Sequence, residues 1–166
     1  MADKFAMDCV NEHTINLGAV SVLEPSAGTG ILVDRLPRHL LSNLDITCVE
    51  LNAEKCDVLK SKGYNAIHGD FLKTEFDKKF DIIVAAPPFI KNMDVVHIEK
   101  MYSLLEHWGT LITLTSPYWT VNNEQHQVAF REFLKDKKYS IEMLPDNTFT
   151  EKGKTVPTAI LTMYKD

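Results

Sequence analysis

Four short segments of this sequence carry side chains suited to holding a ligand. The first is Glu24-Pro-Ser-Ala-Gly-Thr-Gly30, where two glycines let the backbone approach a bound molecule just before a helix start. The second is Glu50, 22 residues past Gly28, a carboxylate able to accept from both hydroxyls of a ribose. The third is Gly69-Asp-Phe-Leu72, in which Asp70 can accept from an adenine amino group while Phe71 packs on the base. The fourth is Ala86-Pro-Pro-Phe89, where two prolines stiffen the chain ahead of an aromatic ring. Three of the segments have a plainer alternative: a structural turn at the glycines, a helix cap or turn at Asp70, a stiff loop with a buried ring at Phe89. A dinucleotide fingerprint needs a third glycine where this chain has Val33, which argues against NAD.

The elements that must position these segments follow from the hydrophobic pattern. Strands are expected at 20–24, 45–50, 65–68, 80–85 and 110–115, each of the first four ending at one of the segments above. Between them the sequence predicts a helix at 30–36 that breaks near Pro37, and a helix at 53–62 capped by Asn52 and ended by Gly63. It predicts another helix capped by Asp94, carrying Val95, Ile98, Met101, Tyr102 and Leu105 at helical spacing and stopped by Gly109. An amphipathic helix is expected at 124–137, followed by two strands, 139–144 and 156–164, with only a loop between them. That pattern predicts a doubly wound, Rossmann-like α/β fold: a seven-stranded, mostly parallel sheet ending in an antiparallel C-terminal hairpin. Residues 1–166 are expected to form one domain, with 1–17 as a lead-in carrying a short helix at 3–12.

Composition narrows the function classes. The net charge of −5 excludes a freestanding basic nucleic-acid binder but leaves room for a local patch, such as Lys78-Lys79, Lys135 to Lys138, or Lys152 and Lys154. Those lysines are otherwise a solvated surface. Cys9, Cys48 and Cys56 lack the count and spacing of a disulfide framework or zinc site, and His97 and His126 have no ligand partners in sequence, so no metal is expected. Reduced thiols, no signal peptide and no apolar run long enough for a bilayer point to a cytoplasmic protein with no membrane partner.

Taken together, the four segments resemble the class I S-adenosylmethionine-dependent methyltransferases, over roughly residues 18–164. Leu23 to Gly30 looks like that family's first motif, Glu50 its second-strand acid and Gly69-Asp70 its third. The resemblance implies S-adenosylmethionine as cofactor, with Gly28 and Gly30 near its methionine part, Glu50 on the ribose, and Asp70 and Phe71 on the adenine. Glu24, Ser26 and Leu51 complete the implied cofactor set, and the acidic residues suit a sulfonium ligand.

Ala86-Pro87-Pro88-Phe89 is similar to the Asn/Asp-Pro-Pro-Tyr/Phe segment of amino-methyltransferases that act on adenine, and of some that act on glutamine. In that pattern a side-chain carbonyl and the first proline's carbonyl accept from the target amine, and the aromatic ring stacks on the flipped base. Here Ala86 removes the side-chain acceptor, a loss of about 2.7–4 kcal/mol, or roughly 10²–10³ in rate. Either the chain is a slow or inactive relative, or another group supplies the acceptor, or the alanine is an engineered change. Phe149, in the loop before the last strand, resembles the second aromatic on the flipped base, or else covers the sheet edge. Ser116-Pro-Tyr-Trp119 is expected to wall the acceptor pocket. The aromatic-x-Thr-Pro opening of DNA adenine methyltransferases is missing, with Phe5 its only stand-in, and no room is left for a target-recognition domain.

The expected function is methyl transfer to an adenine N6 amine in DNA, with RNA second. Alternatives are a catalytically impaired cofactor-binding subunit that needs a partner or self-associates, and a methyltransferase for a protein or small molecule.

Overall fold

The structure, a computed structural model, describes residues 18–39, 43–145, 148, 150–151 and 154–166. The expected N-terminal helix, Phe5, Cys9 and Phe149 lie outside those residues. Nine strands and three α-helices are described: β1 Val20–Glu24, β2 Leu44–Glu50, α1 Ala53–Ser61, β3 Asn65–His68, β4 Phe80–Ala85, α2 Met93–Ser103, β5 Leu105–Thr115, α3 Gln125–Leu134, β6 Lys138–Met143, β7 Thr150–Glu151, β8 Lys154–Thr155 and β9 Ala159–Tyr164.

Seven of the strands form one sheet in the order β3-β2-β1-β4-β5-β9-β6. β1 to β5 pair in parallel, while β9 runs antiparallel between β5 and β6. The doubly wound sheet and its antiparallel C-terminal pair are thus as expected. The connection between β6 and β9 is more than a loop, since β7 and β8 form a small antiparallel ribbon within it. Two apolar clusters cover the faces of the sheet. One gathers Val22, Ile82, Ile112 and Leu59 of α1; the other gathers Leu23, Ile83, Ile98 of α2 and Phe130 of α3. β4 alternates between them, which is why Phe-Asp-Ile-Ile-Val-Ala reads as one apolar run. β6 is exposed along its whole length and closes one edge.

Four local expectations are corrected. Residues 30–36 make turns and a 3-10 turn, Val33–Arg35, instead of an α-helix. Leu36 precedes proline and takes ψ 138°, as the ring of Pro37 demands, so the segment is too short to propagate. Asp94 does not cap α2: the cap is Asn92, and Asp94 is buried in the first turn. Leu105 and Gly109 belong to β5, not to the helix before it, which ends at Ser103. A Cβ on Gly109 would lie 2.9 Å from the Glu106 carbonyl and 3.1 Å from those of Phe80 and Asp81, so glycine permits the close pairing where the β4–β5 register shifts. Lastly, α3 is shorter than the expected span of 124–137.

Among the described residues no helix is long and apolar enough to cross a membrane. Cys48 and Cys56 are free and buried, and burial pushes the Cys48 thiol up to about 12.

Candidate functional site

The chain runs from β1 outward to β3 and then returns to β4 on the other side of β1, so the strand order reverses between β1 and β4. The carboxyl ends of strands at such a reversal leave a crevice. Here it is an open cleft of about 490 Å³. Its walls come from the four strand ends: Pro25, Ser26 and Gly28 after β1; Glu50, Leu51 and Lys55 after β2; Gly69, Asp70 and Phe71 after β3; Ala86 to Phe89, Met93 and His97 after β4.

The glycine loop is folded back by backbone bonds. The Ala27 N–H donates to the Val49 carbonyl at 3.0 Å, and the Gly30 N–H to the Ala27 carbonyl at 2.7 Å. Gly28 takes φ +55°, and a Cβ there would meet nothing within 4 Å, so the space beside it is open. Gly30 faces the other way. Its Cβ would lie 2.9 Å from Leu59 and 3.4 Å from the Tyr64 ring, so it packs the loop onto α1 and does not line the cleft.

Glu50 is the hub. Its Oε2 accepts from the Gly28 N–H at 2.7 Å and its Oε1 from the Asn52 N–H at 2.8 Å. A carboxylate has about four lone-pair sites, so each oxygen keeps one for a diol in the cleft. Leu51 beside it is 71% exposed, an apolar wall that a ligand would cover. His68 on β3 reaches the Leu51 carbonyl at 3.1 Å and fixes that turn.

Asp70 plays the plain role and keeps capacity for another. Its Oδ1 accepts from the Leu72 N–H at 3.0 Å, capping the 3-10 turn Phe71–Lys73, while Oδ2 lies 3.7 Å from Lys73 Nζ. That turn is held from behind by Lys100 of α2. Its Nζ donates to the carbonyls of Phe71, Leu72 and Thr74 at 2.8, 3.1 and 2.7 Å and sits 5.0 Å from the Phe71 ring centroid.

Glu24 lies under the glycine loop and not in the cleft wall. It is 2% exposed, and one carboxyl oxygen, Oε2, has no partner among the described residues. Burial raises its pKa to about 8. The Val33 N–H that it accepts lowers the value, and the charges of Asp34 and Glu50 raise it further. At neutral pH it is mostly the neutral acid, so the acidity of the cleft comes from Glu50 and Asp70.

At the acceptor end, Pro87 is buried and Pro88 exposed, with Ala86 and Phe89 half-buried on either side of them. The chain then bends through two left-handed residues, Lys91 at φ 56° and Asn92 at φ 57°, before α2 begins. Asn92 Oδ1 accepts from Gln127 Nε2 of α3 at 3.1 Å. Asp94 Oδ2 accepts from Thr115 Oγ1 and the Ser116 N–H, both at 2.8 Å, which ties α2 to the end of β5. Ser116 to Trp119 do not wall the cleft as expected. Trp119 turns inward, donating Nε1 to Thr115 Oγ1 at 3.1 Å and meeting Phe130 edge-on at 5.1 Å. Lys55, Met93 and His97 are cleft residues that sequence reasoning did not place there; the last two lie on one helix. The i, i+4 spacing of Met93 and His97 on the helix after the Pro-Pro-Phe turn is the signal that would have found that pair.

Among the described residues no group of three or more His, Cys, Asp or Glu side chains is placed to hold a metal. The lysines near residues 78 and 135–138 lie at the other end of the sheet. Lys138 is level with Thr110 through Tyr164, whereas the β5 residue level with Met143 and Ala159 is Thr115, at the cleft end. Lys78 pairs with Asp45 at 2.7 Å, Lys135 with Glu132 at 2.7 Å, and Lys137 covers the Phe133 ring at 4.2 Å.

The sequence matches no protein-family model and no curated protein. The fold does have neighbours among solved structures. A Listeria monocytogenes protein assigned to the class I S-adenosylmethionine-dependent methyltransferases superposes with a TM-score of 0.74 at 15% identity, over 98% of this chain and 57% of that one. A modification subunit assigned to a type I restriction enzyme of Vibrio vulnificus gives 0.73 at 14% identity, over 99% and 44%. The plantazolicin methyltransferase, solved with S-adenosylhomocysteine, gives 0.65 at 13%, over 99% and 83%. This chain spans about half the length of the first two. These likenesses show a Rossmann-like fold shared with those structures.

Proposed function

We propose that the chain is an S-adenosylmethionine-dependent methyltransferase whose leading substrate is an adenine N6 amine in DNA. The carrying observation is Glu50: a carboxylate on the cleft, fixed by the Gly28 and Asn52 N–H groups, with one lone pair left on each oxygen. That is a preorganised acceptor pair for a ribose diol, next to the open space at Gly28 and the ring of Phe71. A cleft of about 490 Å³ is of the size that holds a nucleoside-bearing ligand.

When bound, S-adenosylmethionine supplies an electrophilic methyl group on its sulfonium. Gly28, Glu50, Asp70 and Phe71 would hold it, with Ser26 and Leu51 beside them. Glu24 and Gly30 support the loop from beneath. At the other end the Pro87 carbonyl would accept from one N–H of the target amine, turning its lone pair toward the methyl group, and Phe89 would stack on the base. Ala86 leaves the second N–H without a side-chain acceptor. The small ribbon β7–β8 joins β6 to β9 at this end of the sheet, and in sequence Lys152, outside the described residues, and Lys154 are the lysines that would contact phosphate.

Ala86 also favours a second reading, a cofactor-binding subunit whose activity depends on a partner. One experiment addresses both. S-adenosylmethionine binding is measured by calorimetry, then labelled methyl transfer to DNA and RNA for the natural chain and Ala86→Asn. We expect micromolar-scale binding and a gain in transfer of roughly 10²–10³ in the variant. No cofactor binding refutes the methyltransferase reading. Binding without transfer to any nucleic acid by Ala86→Asn refutes the adenine reading.

A further inference from the structure

His97 lines the cleft between Phe71 and the Pro-Pro-Phe turn, and no motif accounts for it. Its side chain is 6% exposed. Its Nδ1 lies 2.8 Å from the Met93 carbonyl, one turn back on α2. A carbonyl only accepts, so Nδ1 carries the proton and the neutral ring presents a lone pair on Nε2, the nitrogen farther from the helix backbone. Nε2 has no hydrogen-bond partner among the described residues. Burial holds the imidazole below its ordinary pKa, which keeps it neutral, against the Met93 carbonyl and the charges of Asp70 and Asp94.

The neighbours do not compete for that lone pair. Lys100 donates to three backbone carbonyls; Asp94 Oδ2 accepts from Thr115 and Ser116, while its Oδ1 has no hydrogen-bond partner among the described residues and so none on the imidazole. The ring packs on Phe71 with centroids 5.4 Å apart and planes tilted by 31°, so it lies at the Asp70–Phe71 end of the cleft. Two hydrogen-bond acceptors, the Asp70 carboxylate and His97 Nε2, thus flank one apolar wall.

We propose that His97 selects a 6-aminopurine over a 6-oxopurine at this end of the cleft, Nε2 accepting one N–H of the exocyclic amine and Asp70 the other. This rests on the reading that an adenosyl cofactor occupies the cleft. An exocyclic amine offers two N–H donors to two acceptors. A 6-oxo group turns a lone pair toward both, opposing the half-buried Asp70 carboxylate and the buried His97 Nε2. His97 is therefore a specificity-determining residue whose role the tautomer defines.

The test uses S-adenosylhomocysteine and its inosyl analogue, with calorimetric affinities for the natural chain, His97→Phe and His97→Gln. The natural chain is expected to prefer the adenosyl ligand by about 100-fold or more. His97→Phe keeps a ring on Phe71 but no lone pair, and should narrow that preference at least tenfold. His97→Gln keeps an acceptor oxygen and should retain most of it. Nitrogen NMR of labelled histidine on the natural chain provides a readout without a variant: Nε2 should shift with the adenosyl ligand and not with the inosyl one. An unchanged preference in His97→Phe, or an unmoved Nε2 resonance, overturns the role of His97 while the cofactor reading stands. Binding of neither ligand by the natural chain overturns both.

Discussion

Replacing Glu24 by glutamine should change how stability depends on pH. Glu24 is the buried acid under the glycine loop, with a pKa raised from 4.5 to about 8, first by burial and then by the charges of Asp34 and Glu50. In the unfolded chain it releases its proton near its ordinary value, whereas in the folded chain it keeps it until about pH 8. Between those values the folded state binds more protons, so stability is full below about pH 4.5 and declines as pH rises through 8. At about 1.36 kcal/mol per pH unit, the decline from this one group reaches on the order of 5 kcal/mol, comparable to the whole stability of many domains. Glutamine is close in shape to the neutral acid, can still accept the Val33 N–H and does not titrate. Urea unfolding followed by circular dichroism from pH 5 to 9 would show natural chain and variant close together at pH 5, separating steadily up to about pH 8 and running parallel above it, with Glu24→Gln the more stable. Parallel curves across that range would refute the argument and show that Glu24 reaches solvent or a partner.

Other outcomes follow from the same geometry. Gly30→Ala should destabilise by on the order of 1–3 kcal/mol in thermal unfolding, because its Cβ meets Leu59 at a left-handed φ. Gly28→Ala meets no protein atom within 4 Å but is held at φ +55°, so a loss of cofactor affinity in calorimetry should come with a cost of roughly 1–2 kcal/mol in unfolding. Glu50→Gln turns one acceptor oxygen into a donor facing the Gly28 or Asn52 N–H, and should weaken cofactor binding about 100-fold with the far-ultraviolet spectrum unchanged. Lys100→Met leaves three carbonyls without their ammonium; unfolding should show a cost on the order of 2–3 kcal/mol, and cofactor affinity should drop about tenfold as the Phe71 turn loosens.

The parts of the fold that the sequence revealed were those encoded locally. β4 is a continuous apolar run, Asn52 caps α1 by accepting from the Lys55 N–H at 3.0 Å, and each acidic or proline segment closes a strand, so the cleft could be assembled from strand ends alone. What stayed hidden depends on distant partners. Gly109 looked like a helix stop because nothing in the sequence shows the carbonyls of Phe80 and Asp81 pressing on it. Asp94 looked like a cap because its true partners, Thr115 and Ser116, are some twenty residues away. Trp119 looked like pocket wall, yet the α3 ring that draws it inward comes later in the chain.

The pair of left-handed residues at Lys91 and Asn92 gives α3 a hand in the acceptor site. Asn92 tolerates this conformation, but for Lys91 it costs roughly 1–2 kcal/mol. The bend that delivers Phe89 is therefore not the resting shape of its own segment. It is a loaded bend, kept cocked by Gln127 on Asn92 and by the β5 terminus on Asp94. Gln127 is buried and is no part of the cleft wall, yet truncating it would release one catch on the bend behind the aromatic ring. The shape of the acceptor site is thus set as much from behind as from within, and a change in α3 can retune it without touching a residue of the cleft.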